Sequence, residues 1–140
     1  MTSCNTWFPK IGEIYIMRFS GVGSEQKGLR PGLVLQNNTG NLYSPNIIAL
    51  PLTRALKKST QPTHVMIPSH DNGLKADSMV LCENPERMSK DRIGQYLTKL
   101  TDEEMAKVAE AYLLATGAIS FLNPTSLQQI WEKSTALNIA

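Results

Sequence analysis

Ser24, Glu25, Gln26, Lys27 and Arg30 crowd into one short stretch of the chain, GVGSEQKGLRPGLVLQNN at residues 21–38. A hydroxyl, a carboxylate, an amide, an ammonium and a guanidinium can together grip an anionic, hydrogen-bonding ligand. A guanidinium presents a planar fork that suits two oxygens of one phosphate or carboxylate. Gly21, Gly23 and Gly28 free the backbone of this stretch. Pro31 then holds Arg30 in extended angles, so Arg30 stands at a stiff junction between loop and strand. Two later places join it. In Leu52-Thr53-Arg54 an apolar strand ends in a hydroxyl and a guanidinium, and in Cys82-Glu83-Asn84 another ends in a carboxylate and an amide. Polar groups at strand ends are a common way to mount a site on a rigid sheet.

Charge distribution agrees with an anionic partner. From Lys27 to His70 there are five cations (Lys27, Arg30, Arg54, Lys57, Lys58) and no Asp or Glu. From Asp71 onward ten acids face seven bases, and the whole chain carries only +2. One face can attract phosphate while the total stays near neutral; a basic face that serves solubility alone has the same composition. Other chemistries lack their signatures. No Gly-rich dinucleotide fingerprint, Walker sequence or GxSxG elbow is present. Cys4 and Cys82 have no zinc-ligand spacing, and Cys82 closes an apolar run as a small core residue. His64 falls in a strand pattern and His70 in a turn, positions where histidine is more often structural than catalytic. No apolar stretch has the length of a membrane span or signal core, so a reduced cytoplasm is the expected setting and no membrane contact is expected.

The elements that must hold these residues are short strands. Glu13–Phe19 (EIYIMRF) reads as the first, and 20–29 as a loop. Pro31–Gln36 is the second strand, with proline at its start, and NNTGN is a turn. Asn46–Leu52 lacks alternation, which predicts burial on both faces, and Pro51 within it predicts an edge or a bulge. Strands follow at 63–68, 78–83 and 94–100, with a lysine-bearing loop at 53–62 and loop plus a helical turn at 84–92. Then the period changes. Thr101-Asp102-Glu103-Glu104 is a capping box, Met105, Val108, Ala109, Tyr112 and Leu113 follow at helical spacing, and Gly117 is the expected stop. After Asn123-Pro124 comes an amphipathic stretch with Leu127, Ile130, Trp131 and Leu137 on one side; it could fold back, form a dimer contact or meet a partner. This describes a mainly β fold with helices, one domain at 1–122 and a helical extension at 123–140, the strands closing into a small curved sheet or barrel.

The run GEIYIMRFSGVGSEQKGLRPGLVLQNNTGNLYSPNIIALPLT resembles the N-terminal half of the MazF/PemK family of toxin endoribonucleases. The likeness continues through LPLTRALKK, PTHVMIP and GLKADSMVLCENPERMSKDRIGQYLTKLTDEEM, covering roughly residues 12–116. The resemblance implies an SH3-like barrel of the CcdB/MazF type with a long C-terminal helix, as a homodimer. It implies metal-free cleavage of single-stranded RNA at short sequences, no cofactor, and inhibition by a cognate antitoxin. Arg30 matches the family's arginine before proline and Thr53 its threonine at the end of the third core strand. Gly23, Ser24, Glu25 and Gln26 stand in the substrate-binding loop, and Lys27, Arg54 and Lys57 add cations to the RNA surface. Glu83 matches the family's acid after the later strand, whereas Asn84 replaces a glutamine common there, and the tail after Asn123 runs past the usual family end.

The chemistry is coherent with these residues. The neighbouring 2′-hydroxyl is the nucleophile, so the site must stabilise charge on the phosphate, accept a proton and help the departing 5′-oxygen. Arg30 supplies transition-state charge stabilisation, Thr53 fixes geometry by hydrogen bonding, and Glu25 is the nearest candidate base. The loop glycines would let the chain follow unpaired RNA while polar side chains read base edges. Two alternatives share the fold: a CcdB-like toxin that grips DNA gyrase without catalysis, and an RNA-binding scaffold that does not cut.

Overall fold

The computed structural model describes residues 7–21, 28–55, 60–69 and 73–137. Seven strands form one antiparallel sheet: β1 (Glu13–Phe19), β2 (Gly28–Val34), β3 (Asn46–Arg54), β4 (His64–Ile67), β5 (Ser78–Leu81), β6 (Glu86–Ser89) and β7 (Ile93–Lys99). The spatial order is β4-β5-β3-β2-β1-β7, with β6 also on β3. Three helices accompany them, α1 (Asn38–Tyr43), α2 (Asp102–Ala115) and α3 (Pro124–Leu137).

β3 organises the sheet. Its residues 49–51 pair with β2, its first four with β6 and its last three with β5. Leu50 and Pro51 fall where β6 has stopped and β5 has not begun. Pro51 therefore occupies neither the edge nor the bulge expected from the sequence. It sits in the gap between two ladders, where a missing N–H costs no sheet hydrogen bond. Ile47 and Ala49 pack into one core cluster with Tyr15, Met17, Phe19, Val34 and Met88. Leu50 and Leu52 pack into the other with Ile14, Leu33, Val80, Cys82 and Val108. A strand buried on both faces needs no alternation, as the sequence indicates.

β2 begins at Gly28 rather than Pro31 and pairs with β1 along its whole length, Ile16 opposite Pro31 and Met17 opposite Arg30. Pro31 is tolerated inside the strand because the β3 ladder starts only at Gly32, leaving one side open. Gly32 is required by packing. A Cβ there would come within 2.6 Å of the Met17 sulfur and 2.8 Å of the Phe19 ring.

Three further expectations are corrected. NNTGN is helix, not turn: the Asn37 side chain accepts from the Gly40 N–H at 2.8 Å and caps α1. Buried Asn38 accepts from the Ile11 N–H at 2.8 Å, and buried Asn41 donates to the Gln36 carbonyl at 2.8 Å. These amides tie α1 to the sheet. The stretch 84–92 contains a strand, β6, before its turn (Lys90–Arg92), because Met88 enters the core and β3 offers a ladder. The Thr101–Glu104 capping box forms with both reciprocal bonds. α2 ends at Ala115, and Gly117 keeps φ at −86°, so it is not a left-handed stop. α3 touches α1, its end held where the Thr39 hydroxyl donates to the Leu137 carbonyl at 2.7 Å, and leaves Trp131 70% exposed.

Replacing Gly32 with alanine should lower stability by ~1–3 kcal/mol through overpacking against Met17 and Phe19. Guanidinium unfolding should show a lower midpoint with unchanged slope.

Candidate functional site

β2 and β3 are antiparallel, in register Val34–Ala49, Leu33–Leu50, Gly32–Pro51. Two steps further along the same register, Arg30 falls opposite Thr53, on the same face of the two strands. The β2–β3 ladder ends at Gly32–Pro51, so Arg30 and Thr53 lie two residues beyond it; Thr53 lines a cleft beside this end and Arg30 is not among the lining residues. β5 supports Thr53 from the other side through its pairing with Met79. The site therefore rests on the central strand rather than on a loop.

Beside this end lies an open cleft of about 870 Å³. Pro31, Thr53, Arg54, Lys75, Gln95 and Tyr96 are among its lining residues. Of these, Thr53 and Arg54 are anticipated from sequence. Lys75, Gln95 and Tyr96 are not, because they sit in ordinary strand and loop patterns until folding brings β7 and the segment before β5 alongside. Gly73, also in the lining, lies against the Leu97 carbonyl so closely that no side chain fits, which seals that wall to β7.

The loop between β1 and β2 is clamped at its stem. Glu86 accepts from the Ser20 N–H at 2.9 Å and the Gly21 N–H at 3.2 Å. Arg92 donates to the same carboxylate at 3.1 Å and to the Ser20 hydroxyl at 2.7 Å. Both clamp residues come from the segment that reads as a loop in sequence. Gly23, Ser24, Glu25, Gln26, Lys27 and Lys57 lie outside the described residues.

Glu83 and Asn84 are not brought to the Arg30–Thr53 end within one chain. β5 enters beside Arg54 and leaves the other way. Glu83 thus emerges near the level of Leu50, roughly 10 Å back along β3 from Thr53. There His64 Nε2 lies 2.9 Å from the Glu83 carboxylate. Next to it, burial and then the Glu83 charge push the Cys82 thiol up to about 12, from an ordinary 9.0. Cys82 is a fully buried core residue, as the sequence suggests, and stays protonated near neutral pH. Among the described residues no three His, Cys, Asp or Glu side chains cluster in a way that could hold a metal ion.

A family model described as "PemK-like, MazF-like toxin of type II toxin-antitoxin system" matches residues 10–115. The chain belongs to this family. Endoribonuclease EndoA of Bacillus subtilis (strain 168) is 41% identical over 113 residues, covering 80% of this chain and 97% of EndoA. MazF from Deinococcus radiodurans superimposes with a TM-score of 0.65 at 26% identity, covering 79% of this chain and 99% of that one. A mycobacterial endoribonuclease solved with its cognate antitoxin gives 0.63 at 28% identity, covering 83% and 99%. In this MazF-like chain the family match stops where α2 stops, at residue 115, so α3 is an addition to the matched unit.

Replacing Glu86 with alanine should free the amides of Ser20 and Gly21. Their hydrogen exchange should accelerate about tenfold, the loss of a charge-assisted acceptor, while core amides stay unchanged.

Proposed function

We propose that the chain is a toxin endoribonuclease that cleaves single-stranded RNA at short sequences without a metal. The alignment of Arg30 with Thr53 when the β2–β3 register is continued past Gly32–Pro51, with Thr53, Arg54 and Lys75 in one cleft, carries this reading. The 2′-oxygen attacks phosphorus, the P–O5′ bond breaks, and the products are a 2′,3′-cyclic phosphate and a 5′-hydroxyl. The guanidinium of Arg30 stabilises the negative charge that builds on the non-bridging oxygens. Thr53 hydrogen-bonds a phosphate oxygen or the 2′-hydroxyl and holds the attacking geometry. Glu25 takes the 2′ proton, and the departing 5′-oxygen takes one from water.

Gly23, Ser24, Gln26 and Lys27 bind the substrate, and the chain leading to them is held at Ser20 and Gly21 by Glu86 and Arg92. Arg54 and Lys57 neutralise phosphates. Glu83 and Asn84 stand away from the Arg30–Thr53 end of their own chain. If they contact RNA, they do so further along the strand or from the second subunit of a homodimer. The catalytic unit is residues 1–122, and 123–140 form a helical extension. No helix among the described residues is long and apolar enough to cross a membrane, and the reading places the protein in the cytoplasm. A cognate antitoxin covers the cleft with an acidic segment, since the cations that attract RNA attract carboxylates equally.

The test is cleavage of a mixed-sequence single-stranded RNA by purified protein in excess chelator. The parent should cut and leave 5′-hydroxyl ends, Arg30→Ala should lose at least about 100-fold, the scale of one lost transition-state donor, and added antitoxin should stop the parent. RNA bound but uncut by the folded parent would favour a binding scaffold. Neither binding nor cleavage, with tight binding to gyrase instead, would favour the CcdB-like alternative.

A further inference from the structure

Tyr96 has no part in the chemistry above, yet it is 49% exposed and lines the same cleft as Thr53 and Arg54. An aromatic ring left half in water on a strand is normally a loose surface group. This one is held. Its ring meets Tyr15 edge-to-face, centroids 5.5 Å apart at 74°. Tyr15 is itself buried, donates its hydroxyl to Glu13 at 2.7 Å, and meets Trp7 edge-to-face at 6.1 Å. The β1–β7 register shifts on both sides of the Tyr15–Tyr96 pair. Such irregularities re-aim the side chains beside them. Gln95, next to Tyr96 on β7, and Lys75 are also in the lining.

A braced, half-exposed ring on a cleft that also carries cations is an arrangement by which proteins hold unpaired nucleic acid: the base stacks on the ring while neighbouring phosphates are neutralised. An acidic peptide would use the cations but has no need of the ring. We propose that Tyr96 is a stacking platform for one nucleobase of the RNA, beside the cleaved phosphate, with Arg54 and Lys75 on the adjoining phosphates. Every base has a π face, so the subsite contributes affinity and placement, and sequence choice is left to other contacts such as Gln95. The proposal rests on the endoribonuclease reading and deepens it by adding a substrate subsite.

Abasic substitution tests it. The probe is an RNA cut by the parent, with a 2′-deoxy nucleotide at the cleaved position so that it binds without reacting. Removing each base in turn should reveal one position whose loss weakens binding by the parent roughly 5- to 100-fold. Tyr96→Ala and Tyr96→Leu should bind the intact RNA more weakly by a similar factor and be indifferent to the base at that position. Tyr96→Leu keeps apolar contact with Tyr15 without a π face, so it guards against a folding defect in the alanine variant. Tyr96→Phe should match the parent. Abasic profiles that are identical in the parent, Tyr96→Ala and Tyr96→Leu would overturn the platform while leaving the nuclease intact. A uniform loss at every position in the variants would also overturn it, showing only a structural role. A parent that neither binds nor cuts RNA would remove the endoribonuclease reading, and the subsite with it.

Discussion

Everything in the site depends on β3 having two different neighbours on one side. β3 runs unbroken from Asn46 to Arg54, pairing first with β6 and then with β5, and Pro51 falls between those two ladders, where its missing N–H leaves no ladder bond unmade. The β2 ladder also ends at Pro51, so Arg30 and Thr53 lie just beyond it. Burial of Ile47, Ala49, Leu50 and Leu52 on both faces makes the strand difficult to move. Truncating Ile47, Leu50 or Leu52 to alanine would cost about 2–5 kcal/mol. The catalytic hydroxyl proposed here is therefore mounted on one of the stiffest parts of the molecule, where a small positional error would cost most in rate.

Around this fixed end the protein uses polar contacts to hold its looser parts. Amides of Gln36, Asn38 and Asn41 lock α1 against the entry to β3. Glu86 and Arg92 grip the stem of the loop between β1 and β2. Such bonds are worth individually little where they are exposed, but a loop that must meet RNA needs a defined origin more than it needs stability. At the β7 edge of the sheet, the ring of Tyr96 rests on Tyr15, which in turn meets Trp7.

Much of this was legible in the chain. β1, β3, β4, β5 and β7 announce themselves through β-branched and aromatic runs, and α2 through its capping box. Arg30 and Thr53 were each visible as polar residues at stiff strand positions, and their resemblance to a family tied them to one reaction. What could not be read was long-range register. Arg30 faces Thr53 only because Gly32 pairs with Pro51, and no local pattern states that. β6 was hidden for a similar reason: ERMS has one buried residue, Met88, and becomes a strand because β3 supplies the partner. NNTGN carries every signal of a turn, and only its buried amide network makes it a helix. Tyr96 looked like any strand aromatic until β7 came to lie along the cleft.

The central claim is that Arg30 and Thr53 act on the same phosphate from opposite strands. A double-mutant cycle on the single-turnover cleavage rate tests it most directly: parent, Arg30→Ala, Thr53→Ala and the double variant, each checked to be folded. If the two side chains share one transition state, the double variant should be only slightly slower than the worse single variant. Effects that multiply fully, each residue costing the same factor whether or not the other is present, would contradict the account.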